Sequence, residues 1–313
     1  MSETCKSAKG VFEAVVSSNK QIGPRFYKLK LTFSGNGAKI FAGFRPGQFA
    51  ELDLSGIAMP PPDKIPPDLL DASGRNILLR RPFSFTDVTL HGDTTVADLL
   101  YCVVGPASLR MTTLSAGDSL SVIGPLGNGF RIPEGKKTAL LVAGGMGTPP
   151  LQHLAKVLAS DHADIVITAF AGAKTIKALP FEGRLDQISQ QLGFTLREFA
   201  QFGVESIVAT DDGSAGYKGF VTNCLAEWLE RSEAANDEMM IYSCGPEVML
   251  ARIAEIAKDK NIDCQISMER RMACGIGLCQ SCAVECKVPD SSETVYKMCC
   301  QDGPVFEGKE VVF

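Results

Sequence analysis

Six of the eleven cysteines crowd into one stretch, at positions 274, 279, 282, 286, 299 and 300. The other five, Cys5, Cys102, Cys224, Cys244 and Cys264, are scattered, as small buried hydrophobes are. A crowd of thiols calls for metal. Cys274, Cys279 and Cys282 spell C-x4-C-x2-C, a spacing that suits a [2Fe–2S] cluster with a fourth cysteine from further along the chain. Two irons and two bridging sulfides need four thiolates converging from a tight loop. Gly275 and Gly277 let the backbone wrap closely and leave N–H groups free to face sulfur. The fourth thiolate comes from Cys286, Cys299 or Cys300. Cys299 and Cys300 are adjacent, so in an extended segment only one of them faces the cluster, and spacing leaves the choice open. A zinc site is the bland alternative, but zinc ribbons usually carry paired C-x2-C motifs and one is present here.

Three glycine-rich or arginine-bearing motifs could hold a nucleotide. GGMGTPP, residues 144–150, follows an apolar run and precedes a helical pattern. Gly144, Gly145, Gly147, Thr148 and Pro149 thus form a turn whose N–H groups and following helix could cradle a pyrophosphate, or else a plain tight turn. YSCGPEVML ends another apolar run, so Cys244, Gly245 and Pro246 would lie on the carboxyl edge of a sheet; the competing reading is a buried cysteine before a helix that starts with proline. RRPFSF offers the planar fork of an arginine for a diphosphate, the ring of Phe83 for stacking and the hydroxyl of Ser84. Asp211 and Asp212 in TDDGSAGYKG read as a solvated turn, and GPLGNGF as a hinge.

These groups need elements to position them. Residues 11–16, 26–33, 48–54, 99–104 and 119–123 are short, rich in β-branched and aromatic residues and bounded by Gly, Pro and Asn, which predicts a small antiparallel barrel. A proline-rich stretch over 55–76 reads as an exposed loop inserted between strands. From residue 138 the pattern changes. TALLVA, DIVITAF, SIVAT and MMIYSC are apolar strands, each followed by a helical pattern, over 151–160, 182–192, 220–231 and 247–258. That alternation predicts a doubly wound parallel sheet with helices on both faces. The expected organisation is multi-domain β plus α/β: a small antiparallel β-barrel at 9–133, a nucleotide-binding α/β domain at 134–263 and a small [2Fe–2S] domain at 264–313.

Composition narrows the class. The chain is 45% hydrophobic and 21% charged, with net charge −5 and no basic stripe, which speaks against nucleic acid. No apolar run approaches the roughly 20 residues of a membrane span, and MSETCKSAKG lacks the apolar core of a secretory signal, so a cytoplasmic protein is expected. His91, His153 and His162 form no constellation and read as structural or surface residues.

Taken together, the motifs resemble the ferredoxin–NADP reductase superfamily, in which R-x-[YF]-[ST], G-G-x-G-x-x-P and C-G-P occur in this order. The end of the chain, MERRMACGIGLCQSC followed by CQDGPVF, is similar to the electron-transfer subunits of class 1B dihydroorotate dehydrogenases. The resemblance implies that Arg81, with Pro82, binds the FAD phosphates, that Phe83 and Ser84 lie by the flavin, and that Leu100, Tyr101, Cys102, Ala107 and Ser108 touch FAD. It assigns NAD(H) to the 144–149 and 244–246 motifs, and Cys274, Cys279 and Cys282 to the cluster. It also selects Cys300, directly before the QDGPVF tail, as fourth ligand and leaves Cys299 spare. Cys102 stands where the family usually has Arg, Ala107-Ser108 where it has Gly-Thr, and the proline-rich stretch is longer than expected. The implied activity is electron transfer between NAD(H) and an FMN-containing dihydroorotate dehydrogenase catalytic subunit, through FAD and the cluster, in pyrimidine biosynthesis. Competing readings are a similar subunit of a hydrogenase or of a ferredoxin–NADP transhydrogenase, the latter tending to carry Asp at the position of Cys274, or a colourless zinc-dependent assembly module. Lys174, after the second α/β strand, is the residue that could meet the 2′-phosphate of NADP, whereas the resemblance implies NAD.

Overall fold

The computed structural model describes residues 9–181, 186–187, 194–289 and 291–313. The first sheet has seven antiparallel strands: β1 (Gly10–Gln21), β2 (Phe26–Ser34), β3 (Phe49–Leu52), β4 (Arg81–Phe83), β5 (Asp87–His91), β6 (Thr94–Cys102) and β7 (Ser119–Leu126). Their spatial order is β4-β3-β7-β1-β2-β6-β5, and β4 does not pair with β5, so the barrel stays open along one seam. Alternate residues of β1, β2 and β6 point inward, as the two-residue period of a strand requires. Ala14, Val16, Leu29, Leu31, Phe33, Leu99 and Tyr101 therefore meet in one core. Helix α1 (Gly35–Phe41) plugs that core with Phe41, whose ring stacks on Phe33 at 3.9 Å between centroids.

The expected antiparallel barrel is borne out, with two strands more than the sequence suggested, β4 and β5. The proline-rich stretch is not simply an exposed loop. It forms two single-turn helices and the short α2 (Leu70–Ser73), and it buries Ile65 and Leu69 against the barrel core. Prolines fix each turn without needing a backbone donor, so the segment folds down on its few apolar residues. Helix α3 (Pro106–Met111) lies between β6 and β7.

The second sheet is built from β8 (Thr138–Gly144), β9 (Val166–Ala173), β12 (Glu205–Thr210), β13 (Tyr217–Lys218), β14 (Met239–Cys244), β15 (Asp263–Ser267) and β18 (Val305–Glu307). Between β9 and β12 a two-stranded piece pairs β10 (Asp186–Gln187) with β11 (Phe194–Thr195). The helix expected over 182–192 is thus replaced by a strand at 186–187; the rest of that span lies outside the described residues. Helices α4 (Thr148–Asp161), α5 (Arg197–Ala200), α6 (Val221–Arg231) and α7 (Glu247–Lys260) cover the sheet. All seven residues of β8 are buried, which explains its continuous apolar run.

The order is β13-β12-β9-β8-β14-β15-β18. The chain leaves β8 toward β9 and β12, then returns to the other side of β8 with β14. The switch point is therefore between β8 and β14, where open α/β sheets bind ligands outside their carboxyl ends. β15 runs parallel to β14, and β18 closes the edge antiparallel to β15, with Ile266 opposite Phe306. The remaining hairpin pairs β16 (Ala283–Lys287) with β17 (Thr294–Met298). Among the described residues no helix is long and apolar enough to cross a membrane.

Barrel and parallel sheet meet where α4 packs on β5. Lys156 on α4 reaches the Asp87 carboxylate and the Thr89 hydroxyl. One turn earlier, His153 is 3% exposed, lies 6.1 Å from the ring of Phe44 and has no partner for Nδ1 among the described residues. Burial drives its pKa down to about 4, against the pull of Asp87. The folded state thus binds fewer protons than the unfolded one. This part of the stability is present above about pH 6.5 and is lost as pH falls toward 4, by about 3 kcal/mol in all. His153→Leu is expected to flatten that part of the acid unfolding curve, read as denaturant midpoints at successive pH values; a variant with the wild-type slope would refute it.

Candidate functional site

The cluster loop, residues 272–282, lies between β15 and β16. It turns at Gly275 (φ 66°) and Gly277 (φ 88°), conformations open to glycine and strained for other residues. Its three thiols and that of Cys300, just after β17, stand in two pairs. The Cys279 N–H donates to Cys274 Sγ at 3.4 Å, and the Cys300 N–H donates to Cys282 Sγ at 3.4 Å. The Ser281 hydroxyl, 3.1 Å from Cys279 Sγ, is the main cause that draws this thiol down to about 6, with Cys274 adding to it. Among the described residues no three His, Cys, Asp or Glu side chains gather as a single ion would need. Two pairs fit a two-iron group that takes two thiolates per iron. N–H groups aimed at sulfur are the kind of outer hydrogen bond that stabilises thiolate ligands.

The other nearby cysteines face elsewhere. Cys299 is fully buried and its thiol donates to the Met268 carbonyl at 3.3 Å. Cys286 is buried on β16 in the core beneath the cluster loop.

A cleft of about 900 Å³ joins the three parts of the chain. Arg81, Pro82, Phe83, Cys102, Ala107 and Ser108 line it from the barrel, Gly245 and Pro246 from the parallel sheet, and Ala273 and Ser281 from the cluster loop. The two arginines of the RRPFSF motif divide their roles. Arg80 is held by the Ser121 carbonyl and hydroxyl, at 2.7 and 2.8 Å. Among the described residues the Arg81 guanidinium bonds to the Leu79 and Arg80 carbonyls next to it, and it faces the cleft. The Ser108 hydroxyl accepts from the Val104 and Gly105 N–H groups, so it shapes the loop before α3.

Tyr101 points into the barrel core, where its hydroxyl donates to Asn19 at 3.2 Å and its ring stacks on Tyr27. Leu100 is also buried, and Ser84 follows β4 outside the lining of the cleft.

The two glycine motifs touch. A Cβ on Gly147 would lie 1.9 Å from the Cys244 carbonyl oxygen. The turn after β8 and the turn after β14 therefore close on each other at the switch point. Thr148 closes the first turn by donating to the Gly145 carbonyl at 2.8 Å, Pro149 starts α4 buried, and Gly144 and Cys244 end their strands side by side. Asp212 takes the Ser214 N–H at 2.9 Å, a turn of its own making.

Two features escaped the sequence reading. Arg270, before the cluster loop, makes a two-pronged bridge to Glu247 at the start of α7, at 2.7 and 3.1 Å, inside the cleft. Glu51 on β3 is 1% exposed and neither carboxylate oxygen has a partner among the described residues. Burial pushes it up to about 7, against Arg81 and Arg80.

Two family models match: the iron–sulfur cluster binding domain of dihydroorotate dehydrogenase B over residues 269–312, and the oxidoreductase NAD-binding domain over residues 141–255. The chain is 35% identical over 301 residues to the dihydroorotate dehydrogenase B (NAD(+)) electron transfer subunit of Caldanaerobacter subterraneus subsp. tengcongensis, covering 96% of this chain and 98% of the relative. It is 36% identical to the same subunit of Bacillus caldolyticus, covering 95% and 96%. Among solved structures, the NADH-dependent reduced ferredoxin-NADP oxidoreductase, described for flavin-based electron bifurcation, superposes with TM-score 0.70 at 26% identity, covering 96% of this chain and 89% of that one. An Amycolatopsis cytochrome P450 reductase shares the fold, with TM-score 0.59 at 21% identity, over 82% and 68%.

Proposed function

This chain belongs to the family of dihydroorotate dehydrogenase B electron transfer subunits, and we propose on that premise that it carries electrons between a dihydroorotate-oxidising catalytic subunit and NAD, through FAD and a [2Fe–2S] cluster. The observation that carries the reading is the shared cleft, in which the Arg81–Phe83 strand, the turn after β14 and the cluster loop face one another. Bound flavin exchanges electrons in pairs with nicotinamide and singly with a cluster, so it links the two kinds of carrier.

The chain's own residues supply placement. The Arg81 guanidinium, held at one nitrogen by the Leu79 and Arg80 carbonyls, faces the cleft and suits a diphosphate, and Phe83 gives an apolar wall for the ring system. The clasped turns at Gly147 and Cys244 present backbone N–H groups to a dinucleotide at the switch point. The Arg270–Glu247 bridge ties the cluster segment to α7 across the cleft. Cys274 with Cys279, and Cys282 with Cys300, would hold one iron each. We assign residues 9–133 to flavin, 134–263 to NAD and 264–313 to the cluster, and place the complex in the cytoplasm.

The test is an anaerobic absorption spectrum of the purified chain, with iron and acid-labile sulfide assays, before and after NADH. Flavin and cluster bands that bleach with NADH, with two irons per chain, are expected. A colourless protein that holds zinc and ignores NADH would overturn the reading.

A further inference from the structure

We infer that Glu51 is a positioning residue for the cluster loop, a side chain rooted in the flavin barrel that fixes how closely the loop approaches it. The inference rests on the cluster reading above. Glu51 stands on β3 with its Cα opposite Pro82 of the flavin-side strand β4 and opposite Ile123 of β7. Its other end reaches the loop: a Cβ on Gly275 would lie 2.4 Å from Glu51 Oε1 and 2.7 Å from Cγ. Gly275 directly follows Cys274, the first thiol of the cluster motif. One side chain thus spans from the strand beside Arg81-Pro82-Phe83 to the residue next to a cluster thiol.

The carboxyl is a costly choice for such a place. A buried carboxyl with no hydrogen-bond partner opposes folding, and a strand position whose four residues are all buried would ordinarily hold Val or Leu. A buried polar group left unpaired within the fold calls for a functional explanation. In the barrel Arg81 and Arg80 attract its charge but neither hydrogen-bonds it: Arg80 is engaged by Ser121 and Asp53, and Arg81 faces the cleft. The group it meets is the cluster-loop backbone at a left-handed glycine, where a side chain is excluded both by φ and by the carboxyl itself.

The test uses the full chain in two measurements. In the first, Glu51→Ala and Glu51→Gln are purified and their reduced clusters compared with wild type by electron paramagnetic resonance and redox titration. Glu51→Ala is expected to change the line shape and to move the ratio of reduced to oxidised cluster at the wild-type midpoint about tenfold, with iron and flavin content kept. Glu51→Gln, of nearly the same shape, is expected to restore both. An iron-loaded Glu51→Ala with wild-type spectrum and midpoint overturns the inference, as does a Gln variant no better than Ala. In the second, denaturant unfolding compares Gly275→Ala in the wild-type and Glu51→Ala backgrounds. The alanine is expected to cost less once Glu51 is gone, and strict additivity overturns the inference. This second reading needs no iron, so a chain that binds none strikes at the cluster reading alone. If Glu51→Ala does not accumulate, Glu51→Asp, one methylene shorter, takes its place in both.

Discussion

Serine at position 300 is expected to strip the purified chain of nearly all its iron, while serine at the adjacent position 299 leaves it loaded. The difference follows from where the two thiols face. The Cys300 N–H donates to Cys282 Sγ at 3.4 Å, and burial together with the Cys282 thiol raises the Cys300 thiol as a close pair of sulfurs should. Proximity to a cation would reverse that penalty, because a metal favours the thiolate. Serine is a far weaker iron ligand and leaves one iron with a single protein sulfur. Cys299 spends its S–H on the Met268 carbonyl at 3.3 Å, a bond that a serine hydroxyl can also make. Iron and sulfide per chain, with the long-wavelength absorbance, check both variants in one preparation. Loss of iron from the 299 variant with retention in the 300 variant would exchange their roles.

The second large effect is expected at Gly147. Its φ of −72° is open to any residue, so backbone strain is not the issue. Space is. The added methyl would fall 1.9 Å from the Cys244 oxygen, 2.3 Å from its carbonyl carbon and 2.7 Å from the Gly245 nitrogen. All three are backbone atoms and none can rotate aside, so Gly147→Ala must part the two turns at the switch point. Overpacking of this kind costs about 1–3 kcal/mol or more. NADH affinity, read by anaerobic titration of flavin bleaching, is expected to fall at least about tenfold while flavin and iron content stay normal. Gly145→Ala is the control: its φ is 52°, yet an added Cβ meets nothing within 4 Å, so it carries only the left-handed penalty of about 1–2 kcal/mol. An unchanged titration for Gly147→Ala would show that the clasp between the turns does not shape the dinucleotide site.

Much of this architecture could be read from local pattern. TALLVA and MMIYSC are apolar throughout because β8 and β14 are covered on both faces, and a run of that length beside a glycine turn has few other meanings. The C-x4-C-x2-C motif was legible because cluster geometry dictates spacing within one loop. What escaped depends on contacts distant in sequence. Strand β4 is three residues long with a proline in its middle, and only its place beside β3 makes it a strand. Glu51 looks like the solvent-facing residue of GQFAEL until the loop at 275, more than two hundred residues later, covers it. The choice among Cys286, Cys299 and Cys300 stayed open for the same reason: all three are buried in one core, and spacing does not encode which of them lies beside Cys282. The stretch over 55–76 is largely exposed and lies between strands as its prolines suggest, but its short helical turns and the inward packing of Ile65 and Leu69 depend on a barrel core that local pattern does not show.

The last strand ties the cluster segment to the edge of the parallel sheet. β18 follows Cys300 by a few residues and closes the β15 edge of the parallel sheet, through Gln265, Ile266 and Ser267 opposite Glu307, Phe306 and Val305. Backbone bonds hold it at both ends, from Met268 N–H to the Pro304 carbonyl and from Gly308 N–H to the Cys264 carbonyl, and Phe306 anchors it in the core. An open β15 edge would bare a row of unpaired peptide groups, the pattern that invites aggregation or a protease. By pairing with β15, the strand that follows the fourth thiol keeps that edge closed.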